Sequence, residues 1–279
     1  MMHIGQYNTL TVLRHTAPGA YLGDDEDNDV LLPGKYVTED MTIGTEIEVF
    51  LYLDSEDRIV ATTEKPLIEL NSFEFLKVKE VTHFGAFLDW GLEKDLLVPF
   101  KEQSLKMEEG KYYLVYLYLD DATQRLVASA KVKRFFELEH IMVQEKDEVD
   151  VLICETTDLG KNVVVNDTYS GLVYNSDLFR FIKRGERCKG YVTKVREDGK
   201  LDISLEKPGF QKIEPNSQFL LDELKKNEGI IRLTDKSDPD KIRDILGMSK
   251  KTFKQVVGNL YKRRLIAIHE DHIELIENK

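Results

Sequence analysis

One stretch of this chain occurs three times. Val49-Phe50-Leu51-Tyr52-Leu53-Asp54 passes through a polar turn into Arg58-Ile59-Val60-Ala61-Thr62-Thr63. Val115–Asp120 leads in the same way into Arg125–Ser129, and a weaker copy spans Gly190–Ser204 with Lys200 opening its second half. Each copy is an apolar, β-rich run, a short polar turn, and a basic residue that begins a second alternating run, which is the pattern of a β-hairpin. Repeats at similar spacing constrain the fold before any motif is read, because each unit must be one copy of the same small structure.

Extending each hairpin backwards gives units from about Tyr7 to Pro66, Phe73 to Val132 and Asp147 to Pro208. The matching pieces are Gly19-Ala20-Tyr21, Phe84-Gly85-Ala86-Phe87 and Leu159-Gly160-Lys161-Asn162-Val163, followed by Val30–Pro33, Leu96–Pro99 and Gly171–Ser176. Five short strands in about sixty residues is the scale of an OB-type Greek-key barrel, which binds oligonucleotides across the face of its second and third strands. The fold expected is therefore multidomain: three small all-β OB-fold barrels followed, as shown below, by an α+β winged helix.

Composition narrows the partners. The 279 residues suit two to four domains. A formal net charge of -12 argues against indiscriminate binding of nucleic acid, whose phosphates need Lys and Arg. No apolar run approaches the ~18 residues of a membrane span, and Met1–Leu10 lacks the basic and apolar regions of a signal peptide. The two cysteines, Cys154 and Cys188, read as small buried residues rather than a disulfide framework. A reducing, cytoplasmic setting is expected.

Phe84-Gly85-Ala86-Phe87, with Asp121 and Arg125 in the following hairpin, resembles the S1 domain, the RNA-binding repeat of the large small-subunit ribosomal protein. Gly171-Leu172-Val173-Tyr174-Asn175-Ser176 resembles the same family's Gly-Leu-Val-His-x-Ser segment, with Tyr174 in place of His. The resemblance implies a single-strand platform: Gly85 lets the chain bend, Phe84 and Phe87 present rings for stacking, and Arg125 meets a phosphate or a base. Stacking on an aromatic ring contributes about 1–3 kcal/mol per base and tolerates sequence. Unit one keeps Tyr21 and the Asp54–Arg58 hairpin pair but has Pro18 at the first aromatic position. Unit two has Pro99 at the His position. Unit three has lost both aromatics of the second strand and offers Tyr174, Arg196 and Lys200. The alternative for Phe84 and Phe87 is barrel core, the commoner fate of strand aromatics.

Asp24–Asp29 is acidic, and Asp25, Asp27 and Asp29 have the opening spacing of a calcium loop. Val30 stands where the turn glycine belongs and Tyr36 where the bidentate Glu belongs, so a solvated loop is the default. Lys133–Glu145 is expected to form a short helix between units two and three. Unit three carries the run Arg180, Lys183, Arg184, Arg187, Lys189, Lys194 and Arg196, either a solvated face or a row of phosphate contacts.

After Pro208-Gly209 the apolar period changes from two to 3.6. Phe219, Leu220 and Leu224 line a helix begun by Ser217; Asp238-Pro239 opens a second helix with Ile242, Ile245 and Leu246, ended by Gly247. Ser249 caps a third, with Phe253, Val256, Val257 and Leu260 inward. Leu265–His269 and His272–Ile276 then form a hairpin. This is a winged helix, whose third helix and exit carry Lys250, Lys251, Lys254, Lys262, Arg263 and Arg264. Such a helix enters the DNA major groove in regulators; others bind RNA or protein, and a purely packing role is the bland alternative. Three S1-like units and this winged helix together resemble the conserved virulence factor B family of bacterial RNA-binding regulators, a resemblance that implies cytoplasmic RNA binding without catalysis.

The domains expected are 1–66, 67–146, 147–214 and 215–279. The partner expected is single-stranded RNA, with a DNA-binding regulator as the alternative, no cofactor, no metal and no membrane. An S1-bearing ribonuclease is the enzymatic rival, but no Walker loop, metal-ligand spacing or nucleophile motif is present. His269 and His272 read as polar wing-tip residues. From charge alone, binding is expected to concentrate in the C-terminal half, at Lys183, Arg184, Arg187 and Lys189 and in the winged helix.

Overall fold

A computed structural model describes residues 2–24, 26, 28–178, 182–207 and 215–276. Asp25 and Asp27 of the acidic run, Arg180 of the basic run and most of the Pro208–Ser217 joint lie outside the described residues. The chain forms two compact units, Met1–Lys207 and Pro208–Lys279.

The first unit holds the three repeats. Repeat one consists of β1 (Tyr7–Thr16), β2 (Gly19–Gly23), β3 (Asp29–Pro33), β4 (Glu46–Leu53) and β5 (Ile59–Thr62), closed into a barrel in the order β1-β2-β3-β5-β4. The seam is a parallel bridge between Leu31 and Val60. Repeat three, β11 (Glu148–Thr156), β12 (Gly160–Val165), β13 (Tyr169–Tyr174), β14 (Arg187–Val195) and β15 (Leu201–Ser204), closes in the same way, with Gly171 and Leu172 beside Leu201 and Asp202. Repeat two differs. Its strands β6 (Phe73–Val81), β7 (Gly85–Asp89), β8 (Leu96–Pro99), β9 (Tyr112–Asp120) and β10 (Arg125–Ser129) form a sheet in the order β10-β9-β6-β7-β8. No ladder joins β8 to β10, although the two lie side by side. Leu96, Val98 and Ala128 share one core, so that seam is held by side-chain packing rather than by backbone bonds.

Gly19, Gly85 and Gly160 begin the second strand of each repeat, with φ of 152°, 151° and 159°. A Cβ at these positions would lie 2.0, 2.2 and 2.0 Å from the carbonyl oxygens of Leu32, Val98 and Val173. Strand two rests directly on strand three there, and only glycine permits it.

The unbroken apolar runs of the hairpins also have a physical cause. In β4, Val49 and Leu51 point into barrel one, whereas Phe50 and Tyr52 belong to the core of repeat two. The Trp90 ring meets Phe50 and Tyr52 edge-on at 6.0 and 6.3 Å. In β11, Val151 and Ile153 face inward, and Leu152 and Cys154 pack outward with Phe73 and Val164. A strand buried on both faces loses the polar alternation of a half-exposed one.

The helix expected over Lys133–Glu145 is not formed. Val132–Phe135 makes one 3-10 turn and the chain then runs irregularly. Phe135 stacks on Tyr116 at 4.1 Å and Phe136 on Phe73 at 5.0 Å, so consecutive rings are drawn onto the sheet instead of onto one helical face.

The second unit contains α1 (Pro215–Lys226), β16 (Ile230–Ile231), α2 (Pro239–Leu246), α3 (Lys250–Lys262), β17 (Ile266–Ile268) and β18 (Ile273–Leu275). The sheet order is β16-β18-β17. Asp238 caps α2 by accepting from the Asp240 N–H at 2.8 Å, Gly247 ends it at φ 65°, and Ser249 caps α3 through the Thr252 N–H at 3.1 Å. Phe253, Val256, Val257 and Leu260 enter the core as expected, joined by Leu220, Leu221 and Leu224. Phe219 and Ile245 are exposed instead, and α1 starts at Pro215, ahead of Ser217. No helix among the described residues is long and apolar enough to cross a membrane.

Candidate nucleic-acid interface

In β7 the side chains alternate. Ala86 and Leu88 enter the core, Phe87 faces outward and is half-buried, and Phe84, in the turn before the strand, is 61% exposed. The turn is fixed by the Thr82 N–H on the Gly85 carbonyl (2.9 Å) and the Phe84 N–H on Thr82 Oγ1 (3.2 Å). The His83 ring lies 3.8 Å from that of Phe84. The core alternative therefore fails for Phe84.

Strand register adds a residue that the sequence reading missed. Gly85 pairs with Pro99, so Phe84 and Phe100 flank the same end of the β7–β8 pair, and Phe100 is 51% exposed. Phe87 sits between Leu97 on β8 and Glu80 on β6. The signal for Phe100 was its position next to Pro99; the signal for His83 was its place beside Phe84. Neither means anything until the register is known. Charge around these rings is mixed. Lys79 bonds Asp95 at 2.6 Å, which lifts its ammonium above the ordinary lysine value, and Glu80 is the cross-strand neighbour of Phe87. The face suits stacking more than phosphate capture.

The other expected residues of repeats one and two are engaged. Tyr21, at the position of Phe87, lies under the Arg14 guanidinium at 4.1 Å, and Arg14 also holds Asp29 at 2.6 Å. Arg58 grips Asp54 through Nε and Nη2 at 2.9 and 2.7 Å and reaches Glu56 at 2.9 Å, so it braces its own hairpin. Arg125 pairs with Asp57, whose turn belongs to repeat one. Lys94 supports the same turn through the Asp54 carbonyl. Arg58 and Arg125 thus both sit in exposed ion pairs at hairpin turns.

Most of the residues expected in repeat three also have partners within the chain. Arg187 bonds Glu74 at 2.9 Å, Asp167 at 3.2 Å and the Phe73 carbonyl, tying repeat three to repeat two. Releasing it to a phosphate would leave Glu74 and Asp167 without their cation. The Arg184 guanidinium lies 4.5 Å over the ring of Phe75 in repeat two. Lys189 is paired with Asp150 at 2.8 Å, a bond that raises its ammonium above the ordinary value. Lys200 is paired with Asp198 at 2.9 Å, and that hydrogen bond holds the Asp198 carboxyl below its usual range. The Tyr174 hydroxyl meets Arg196 Nη2 at 3.1 Å, and Arg196 in turn is held by Asp202. Among the described residues of the basic run, Arg187, Lys189 and Arg196 sit in ion pairs within the chain, whereas Lys183 and Lys194 are exposed.

In the winged helix, Lys251, Lys254 and Lys262 are exposed on α3, and Arg264 is exposed just beyond its end. Lys254 stands 3.8 Å from Asp235, and Lys250 donates to the Ser237 carbonyl at 2.8 Å. Arg263 is half-buried and its N–H closes α3 on the Asn259 carbonyl at 3.1 Å.

Two of the three repeats and the second unit match known domain families. Residues 4–64 and 72–131 match the S1 domain, and residues 218–275 match the CvfB-like winged helix domain. The chain is 28% identical to the Bacillus subtilis protein named "Uncharacterized protein YitL", over 94% of this chain and 90% of that one. It is 27% identical to "Conserved virulence factor B" of Staphylococcus epidermidis, covering 85% of this chain and 82% of the relative. A crystal structure of a multidomain protein with nucleic acid binding domains from Streptococcus pneumoniae is 23% identical, covers 98% of both chains and superposes with a TM-score of 0.40.

Proposed function

The chain belongs to the conserved virulence factor B family, and on that premise we propose that it is a non-catalytic regulator that binds single-stranded RNA in the cytoplasm. The observation that carries this reading is the exposed ring of Phe84, with His83, Phe87 and Phe100 around it, on the strand-two and strand-three face of an S1 domain. Exposed aromatics at the oligonucleotide face of an OB-type barrel have a direct use, because every base offers a π-face. At the position of Phe84, repeat one has Pro18 and repeat three has Leu159; at that of Phe87, repeat one has Tyr21 under Arg14 and repeat three has Asn162, so repeat two is the stacking module.

A second reading has its own observation: Lys251, Lys254 and Lys262 stand on the open side of α3, the helix that winged-helix regulators place in the major groove. A competition between single-stranded RNA and duplex DNA of matched length at physiological salt separates the two. RNA winning, with loss of binding in Phe84→Ala, supports the platform. Duplex DNA winning makes the winged helix the primary site and the barrels accessory.

A further inference from the structure

The tip of the wing carries a different kind of site. β17 and β18 are joined through His269-Glu270-Asp271-His272, closed by the His269 N–H on the His272 carbonyl at 2.9 Å. Such a turn sets its two flanking residues opposite each other on one face, and the two imidazole rings stack with centroids 4.3 Å apart. Residues two apart in extended chain share a face, and two after His272, which leads directly into β18, is Glu274. Its Oε2 lies 3.0 Å from His269 Nε2. One ligand atom from each of His269, His272 and Glu274 lies within 4.8 Å of the other two.

We propose that this wing tip binds a divalent transition-metal ion of the zinc class through His269, His272 and Glu274. Two imidazole nitrogens and one carboxylate oxygen are the donor set of open, three-ligand zinc sites, which leave a position for water. Imidazole also favours such ions over magnesium or calcium. Ligand atoms around a tetrahedral ion with bonds of 2.0–2.2 Å stand about 3.4 Å apart, so exposed side chains already this close converge by small rotations. His272 Nδ1 is 2.6 Å from Asp271 Oδ1. That contact directs Nε2 to the ion, as an outer carboxylate does in metal–histidine pairs. The ion clamps β17 to β18, strands of three residues each. In the sequence this is only His-x-x-His; the hairpin makes the pair converge and brings Glu274 to it. The inference is independent of the nucleic-acid reading.

The test is a calorimetric titration of chelator-stripped full-length protein with Zn²⁺, beside His269→Ala and Glu274→Gln. The expected result is one saturable equivalent in the parent chain and at least tenfold weaker binding in each variant. Nuclear magnetic resonance of the unsubstituted chain reads the same site without any mutation: Zn²⁺ shifts the imidazole signals of His269 and His272. The proposal is overturned by absence of stoichiometric zinc binding, by undiminished affinity in folded variants, or by zinc-induced shifts confined to other histidines.

Discussion

Phe84 and Arg187 show how differently single residues can be read. The bend at Gly85 was legible in Phe84-Gly85-Ala86-Phe87 because strand alternation and a glycine turn are local properties, and the structure leaves Phe84 on the surface. The surroundings of Arg187 were not legible in the sequence, because its partners Glu74 and Asp167 stand 113 and 20 residues away, and a charge run says nothing about what faces it. Phe84→Ala is expected to weaken single-strand binding by about 1–3 kcal/mol, roughly 5- to 150-fold, with an unchanged melting temperature. Fluorescence anisotropy and calorimetry of the same sample check both; unchanged affinity in a folded variant would remove the platform. Gly85→Ala is expected to destabilise the fold by more than about 2 kcal/mol, since its Cβ would lie 2.2 Å from the Val98 carbonyl. Thermal unfolding measures that, and a melting temperature equal to the parent's would show that the strands separate freely there.

At the scale of elements, the hairpins were legible because their apolar runs are long and their turns polar. What the runs could not show is that the outward faces of β4 and β11 are also buried, against repeat two. The segment Lys133–Glu145 was misread for the same reason, its phenylalanines being claimed by the sheet. Cys154 reports on this packing. It lies in the cluster between repeats two and three, and burial pushes its thiol up to about 12. In the unfolded chain the thiol ionises near its ordinary value of 9.0. Above that pH the unfolded state loses its proton first, so stability present below pH 9 is expected to decline as the pH rises toward 12. Cys154→Ser, followed by denaturant unfolding at pH 8 and pH 10, tests the linkage: the parent's loss of stability between the two pH values should shrink in the variant. Arg187→Ala is expected to loosen the same contact by about 1–2 kcal/mol, discounted for the exposure of the guanidinium, and to speed alkylation of Cys154. An unchanged labelling rate would mean that apolar packing alone holds the two repeats together.

For the whole molecule, three repeats and a winged helix could be read from the recurring hairpins and the change of apolar period. The open seam of repeat two and the pairing of the basic residues could not, because both depend on which strands and charges meet. Charge distribution alone predicts strong, salt-sensitive binding in the C-terminal half. The internal pairing of Arg187, Lys189 and Lys200 predicts a shallow salt dependence instead. Each phosphate contact with a single strand adds about -0.7 to the logarithmic slope, so a stacking site should show a slope of only a few such contacts. A steep slope, flattened by Lys183→Glu and Lys189→Glu, would restore the basic run as the site. The measurement closest to the central claim is photocrosslinking of single-stranded RNA to the full chain, with mapping of the crosslinked peptides. The structure predicts crosslinks at His83–Phe87 and at Phe100, lost in Phe84→Ala; crosslinks confined to the winged helix or to repeat one, with none in repeat two, would contradict it.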